Sequence, residues 1–179
     1  MSENNEKDLT FVQTLYREIV ALGVWEDDEV RIEDHGVVFT MADIADRDDF
    51  NAMGYFYVDI ADRPRLMEFA GLRLMLVQRV DRQKKAVLIP KLFELNLNFR
   101  NGIFYVDDFG NIFFEAKFPV ARDNIQDALA SFMAEYLEIS DYLDVMYPYL
   151  LSLADDPEGT DLKEYMMYLM SQVDGELFT

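Results

Sequence analysis

Asp108-Phe109-Gly110 has the composition of the triplet with which protein kinases hold magnesium against nucleotide phosphates. That chemistry also needs a glycine-rich loop, a strand lysine and a His-Arg-Asp loop. The 179 residues contain none of them and are too few for a kinase, so the triplet reads as a turn. His35, the only histidine, stands beside Asp34, and a His–Asp pair can orient a general base. No cysteine is present and no serine sits in a nucleophile elbow, and Gly36 next door favours a hairpin turn instead. One histidine without cysteine also leaves zinc short of its usual ligands.

Carboxylates are the remaining candidates. Asp43, Asp46, Asp48 and Asp49 have the oxygen chemistry for a hard cation but lack the glycine and distal glutamate of a calcium loop. A solvated loop is the expected reading, and the same holds for Asp155, Asp156, Glu158 and Asp161. Among 35 acids, close pairs of the glycosidase kind arise by number alone, and no pair stands out. The residues therefore predict no catalytic group, no metal and no cofactor. They point to a protein that is not an enzyme.

The other chemistry that side chains offer is adhesion. Tyr55, Tyr57 and Phe113 fall on strand faces opposite the expected core, where an open sheet can receive another chain. Near the C-terminus Tyr165, Met166, Met167, Tyr168 and Met170 make a helix apolar nearly all round, which is either buried or adhesive. Tyr55, Tyr57, Phe113, Tyr165, Met166 and Met167 are the candidate partner-binding residues.

These residues need positioning elements, and the clearest lie at 91–120. Ile112, Phe114, Ala116 and Phe118 alternate with Phe113, Glu115 and Lys117, the period of a half-buried strand. Ile103-Phe104-Tyr105-Val106 suits its partner strand, and Asp107 to Gly110 supplies the turn. Pro119 is expected to close the hairpin. Upstream, Leu9, Val12, Leu15, Ile19 and Leu22 predict a helix capped by Asp8 and ended by Gly23, after a frayed tail at 1–7. Short strands follow at 30–33 and 37–41 around an Asp34-His35-Gly36 turn. A polar loop at 42–52 comes next, then a strand at 55–60 with Phe56, Val58 and Ile60 on one face. Residues 62–80 read two ways. Asp62 and Pro64 favour a helix start, whereas Leu72, Leu74, Leu76 and Val80 alternate as a strand; the preferred reading is a loop or turn, Gly71 as breaker, then a strand at 72–80. A helix is expected at 88–99, with Pro90 near its beginning. Ile125, Leu129, Phe132, Tyr136, Ile139, Leu143, Met146 and Leu150 give the strongest helical period. Asp123 and Gln126 stand as its capping box, Ser140-Asp141 as an interruption and Pro148 as its kink or end. Asp161 and Glu164 are placed to cap a last helix.

The order predicts an α+β domain, an antiparallel sheet of about five or six strands with helices packed on one face. The expected organisation is a flexible tail at 1–7, a single domain at 8–154 and a C-terminal extension helix at 155–179. Charge bounds the partners. The formal net charge is −19, yet residues 63–100 hold nine Lys/Arg against three Asp/Glu, and from Asp123 onward there are thirteen acids and one base, Lys163. Such a field repels nucleic acid and anionic membrane and attracts basic partners. No apolar run approaches the ~18 residues of a membrane span, and the acidic N-terminus lacks the features of a signal peptide, so a cytoplasmic location is expected.

The order helix, strands, helix, hairpin, helix, with Leu95-Asn96 before Gly102-Ile103-Phe104, then Asp107, Gly110-Asn111-Ile112-Phe113-Phe114 and Pro119, resembles the YbjN-like family. It also looks like the related type III secretion chaperones, which are small, acidic and commonly dimeric. The likeness covers 8–150 in element order and 88–150 in residues. It implies a sheet-and-helix binding module for another protein and no catalytic residues; a homodimer is expected separately, from the long apolar stripe at 125–150 and the aromatics of the exposed face. A strand within 54–80 and the helix after Asp161 depart from that pattern. A second expectation of another kind is an acidic, immunity-type inhibitor of a basic toxin.

Overall fold

The computed structural model describes residues 3–26, 28–33, 36–42, 51–59, 68–97, 102–120 and 125–176. Asp34, His35, Asp43, Asp46, Asp48, Asp49 and Ile60 lie outside them, as do Asp62, Pro64 and Asp123, so the turn, loop, strand-end and capping expectations there concern residues outside the description. Among the described residues no helix is long and apolar enough to cross a membrane.

Six strands form one antiparallel open sheet: β1 (Val30–Glu33), β2 (Gly36–Ala42), β3 (Asn51–Asp59), β4 (Glu68–Val77), β5 (Gly102–Val106) and β6 (Ile112–Val120). Their order is β1-β2-β3-β4-β6-β5. The chain leaves β4 through helix α2 (Lys85–Asn96), returns along the outer edge as β5 and folds back as β6 into the gap beside β4. Alternation divides every strand. Val37, Phe39, Phe56, Leu72, Leu74, Phe104, Ile112, Phe114 and Ala116 point to one face and are buried. Helices α1 (Glu3–Ala21), α2 and α3 (Ile125–Asp155) cover that face, bringing Leu15, Ile19, Leu88, Leu92, Phe132, Ile139 and Leu150 into a single core. Each such side chain contributes roughly 1.5–3 kcal/mol by leaving water. Phe56 and Phe132, with ring centroids 4.4 Å apart, join sheet to helix at its centre, and Trp25 closes the β1 end at 5.0 Å from Phe39.

Several boundaries differ from the sequence expectation, each for a physical reason. Helix α1 begins at Glu3, ahead of Asp8 and inside the segment expected as a frayed tail. The stretch read as a turn broken by Gly71 is the strand β4, which starts at Glu68 and ends at Val77, three residues before Val80. Gly71 pairs with Tyr57 and Lys117 inside it, because the Tyr57 ring lies where a Cβ would stand. Helix α2 runs 85–96 rather than 88–99, which leaves Pro90 its sixth residue. Proline removes the bond to the carbonyl of Ala86, which lies on the exposed side where water replaces it. Pro119 is part of β6, opposite Phe69. Among the described residues pairing with β5 extends only to Ala116, so beyond it no described strand pairs on that side of β6, where a residue without an N–H is tolerated.

Helix α3 is unbroken over 31 residues, about 46 Å. Ser140 turns its hydroxyl onto the carbonyl of Tyr136 at 2.8 Å instead of interrupting the helix. Pro148 neither ends nor divides the assigned element, because Met146, Tyr147, Tyr149 and Leu150 around it are all buried, and tertiary packing outweighs one lost hydrogen bond. Helix α4 (Leu162–Glu176) follows a tight loop. Asp161 caps it as expected, its Oδ1 accepting from the Glu164 amide at 3.0 Å.

Candidate functional site

The second face of the sheet carries Met53, Tyr55, Tyr57, Arg73, Met75, Tyr105, Phe113, Glu115 and Lys117, and among the described residues no helix covers it. Register decides who meets whom. Tyr55 pairs with Arg73 and Arg73 with Glu115, which sets a cation between an aromatic row and a carboxylate across three strands. Arg73 Nη2 donates to Glu115 Oε1 at 2.8 Å, and the Tyr57 hydroxyl donates to the same oxygen. The guanidinium carbon lies 5.4 Å from the Tyr57 ring centre, within reach of a cation–π attraction. Lys117 Nζ is 3.9 Å from the same oxygen.

Burial alone would raise the Glu115 carboxyl. The hydrogen bonds from Tyr57 and Arg73, together with the charges of Arg73 and Lys117, outweigh it and hold the group below the usual glutamate range. Tyr57 moves the opposite way, raised by burial first and then by its hydrogen bond to Glu115 and that carboxylate's charge. Tyr105 is raised too, by burial and by the Glu115 charge. A carboxylate held down and phenols held up lie further from neutrality than their free forms, the reverse of what acid–base catalysis at neutral pH asks. The cluster is built to stay in one charge state and to fix its members in place.

Around it the aromatics of this face stack in pairs, one along β3 and one across β5 and β6. Tyr55 and Tyr57 rings lie 5.6 Å apart at 17°, and Tyr105 and Phe113 lie 5.5 Å apart at 16°. Tyr55 lies against Gly36 as Tyr57 lies against Gly71, each ring taking space that a Cβ would fill. Met53, Tyr55, Arg73, Met75 and Phe113 bound a shallow groove of about 320 Å³. The three sheet candidates Tyr55, Tyr57 and Phe113 are thus on one face and close together.

The other three are elsewhere, on α4. Tyr165 faces inward: its hydroxyl donates to the Val145 carbonyl at 2.7 Å and its ring lies 5.3 Å from buried Tyr149. It anchors α4 to α3. Met166 and Met167 are half exposed, with Tyr168 and Met170 beside them. Two surfaces therefore hold the six candidates, and Tyr165 acts chiefly as a fastening.

The residues set aside as structural have structural partners. Asp107 organises the hairpin turn, accepting from the amides of Phe109 and Asn111 at 2.8 Å each. Those bonds, with the Asn111 side chain, outweigh burial and lower its carboxyl. Gly110 takes φ +89° against the Val80 carbonyl, and Asp108 points out to Lys85 at 3.2 Å. In the C-terminal acidic group Asp156 Oδ1 accepts from the Gly159 amide at 3.0 Å. Among the described residues no three His, Asp or Glu side chains gather as they would round a metal ion.

The Tyr57–Arg73–Glu115 cluster was not foreseen. Glu115 and Lys117 appear in sequence only as the polar half of an alternation. A polar pair on a strand otherwise rich in phenylalanine is the available signal, but its partner depends on the β4–β6 register. A scan against protein-family models finds no match, and a search of curated proteins finds none either.

Proposed function

We propose that the chain is a non-enzymatic protein-binding module, chaperone-like or regulatory, that works in the cytoplasm by protein–protein contact through the open face of its sheet. The observation that carries this reading is the uncovered face itself. Stacked aromatic pairs and two methionines flank the Arg73–Glu115 pair, so the face is rich in the tyrosine, phenylalanine, methionine and arginine that protein interfaces favour. The arrangement of a sheet backed by helices agrees with the resemblance to the YbjN-like family and the type III secretion chaperones. Under that resemblance the partner is a segment of another protein laid across the sheet. A homodimer is part of the same reading. It rests on the exposed aromatics alone, because the apolar stripe of α3 is spent inside the core.

The test is capture from native extract with the wild-type chain and with Phe113→Lys and Tyr55→Asp, all three checked for fold by circular dichroism. Proteins retained by the wild type and released by both variants are expected. Identical capture by all three overturns the open face as the binding surface. Light scattering at working concentration tests the dimer, and a monomeric mass removes it.

A second reading, an acidic inhibitor of a basic toxin, is favoured by the charge distribution: from Asp123 onward thirteen acids face one base. Its complex with a folded basic nuclease should weaken as salt rises, since screening shortens the reach of exposed charges. Binding that survives high salt unchanged counts against it.

A further inference from the structure

Helices α3 and α4 leave a trough between them, about 630 Å³ in volume. On α3 it is lined by Glu138, Asp141, Tyr142, Val145 and Met146, and on α4 by Leu162 and Met166. The α3 positions follow steps of three, one, three and one, a single stripe along one helix face, and the α4 pair is four apart. Val145 and Met166 are half exposed although both are apolar.

We propose that this trough receives an amphipathic, basic helix of a partner protein. This rests on the reading of the chain as a protein-binding module, at a surface separate from the open sheet face. Three observations select the occupant. First, both walls are helices, whose backbone groups bond within the helix except in the first turn of α4, where Asp161 caps the Glu164 amide. They offer no ladder to an extended segment, so the occupant brings its own backbone bonds satisfied, as a helix does. Second, the floor of Val145, Met146, Leu162 and Met166 takes large apolar side chains, and methionine adapts its shape to them. Third, Glu138 and Asp141 are exposed on the trough, and the α3–α4 segment 125–176 contains twelve acids with Lys163 as its one base. That field selects Lys or Arg on the occupant's flanks and disfavours an acidic helix.

The probe is a fluorescently labelled peptide of leucine and lysine with helical period, followed by anisotropy. Two comparators isolate the claim: the same composition rearranged to alternate as a strand, and a leucine–glutamate peptide with helical period. Only the helical leucine–lysine peptide is expected to bind. Val145→Glu and Met166→Glu should each weaken it by at least about tenfold, by placing an unpaired carboxylate in the apolar floor. A Glu138→Lys, Asp141→Lys double variant, altered only at exposed positions, should weaken it by about tenfold at low salt and by less at high salt. Phe113→Lys should leave it unchanged.

Absence of binding by the helical leucine–lysine peptide overturns the proposal. So does equal binding by the strand-type or glutamate peptide, or undiminished binding by the charge-reversed variant. If peptide binding fails while Phe113-dependent capture persists, only the trough is rejected. If the trough binds and capture is indifferent to Phe113, only the open-face reading is rejected.

Discussion

Phe113 and Phe114 are consecutive residues of the same strand, of the same type, and they have opposite employment. Phe114 is buried, 5.2 Å from Phe104 in ring distance, with its ring covering Gly102 beneath the helices. Phe113 stacks on Tyr105 and is partly exposed on the open face. The core face is held by bulk and by three helices. The open face is held by a charged cluster, Tyr57, Arg73 and Glu115, that pins aromatics without hiding them. One face is specified by what it excludes and the other by which charge states it keeps. That difference predicts which substitutions should act on stability and which on binding.

The largest effect belongs to the core face. Phe114→Ala should destabilise by about 3–5 kcal/mol, because it removes a fully buried ring and leaves a cavity that Phe104 and Leu74 cannot both fill. Urea unfolding of the variant measures it. A loss below about 1 kcal/mol would mean that the site collapses freely and that the two faces differ less than their burial implies.

Next comes the cluster. Glu115→Ala should cost about 1.5–3 kcal/mol, since it strands the Tyr57 hydroxyl and the Arg73 guanidinium at once, and the partial exposure of Arg73 favours the lower end. The pH dependence has a fixed sign. The folded carboxyl is depressed, so its contribution is complete above the ordinary glutamate range and disappears as pH falls through that range and then through the lower folded value. Wild type and variant should therefore converge toward acid pH. A gap that stays constant across that range would show that the ionised carboxylate is not what holds the open face.

Gly71→Ala acts at the same cluster from below. A Cβ there meets the Tyr57 ring, so the ring must lift, and a cost of about 1–3 kcal/mol follows from the overpacking and the weakened bond to Glu115. Thermal unfolding reads this directly. The position also shows why the sequence was misleading here. Glycine in an isolated string is a breaker, and only the β3–β4 register reveals a tyrosine lying across it. Periodicity, by contrast, was legible wherever it reflected a single packed face: β6 alternates because one side is covered, and α3 repeats at three and four because it lies on the sheet. Ser140 and Pro148 did not stop α3, since local preference yields to a buried stripe of that length. That Tyr55, Tyr57 and Phe113 lie on the face away from the core was legible from alternation alone. The Arg73–Glu115 bond beside them was not, because it joins residues 42 apart in the chain.

The smallest expected effect is the most informative about the comparison. Phe113→Ala removes a half-buried ring whose main contact is a stack on Tyr105. Aromatic pairs of this kind contribute about 0.5–1.5 kcal/mol beyond area, and a partly exposed ring recovers hydration when its partner is lost, so the change in unfolding free energy should be about 1 kcal/mol or less. Phe113 and Phe114 truncated in parallel, with the same urea protocol, should thus differ several-fold in cost while differing by one position in sequence. Capture of partner proteins should show the inverse: lost with Phe113→Ala under conditions where that variant is fully folded. Phe114→Ala should affect capture only where unfolding begins. If both variants lose stability equally, the open face is part of the core by another route, and Phe113 is a packing residue rather than a contact for a partner.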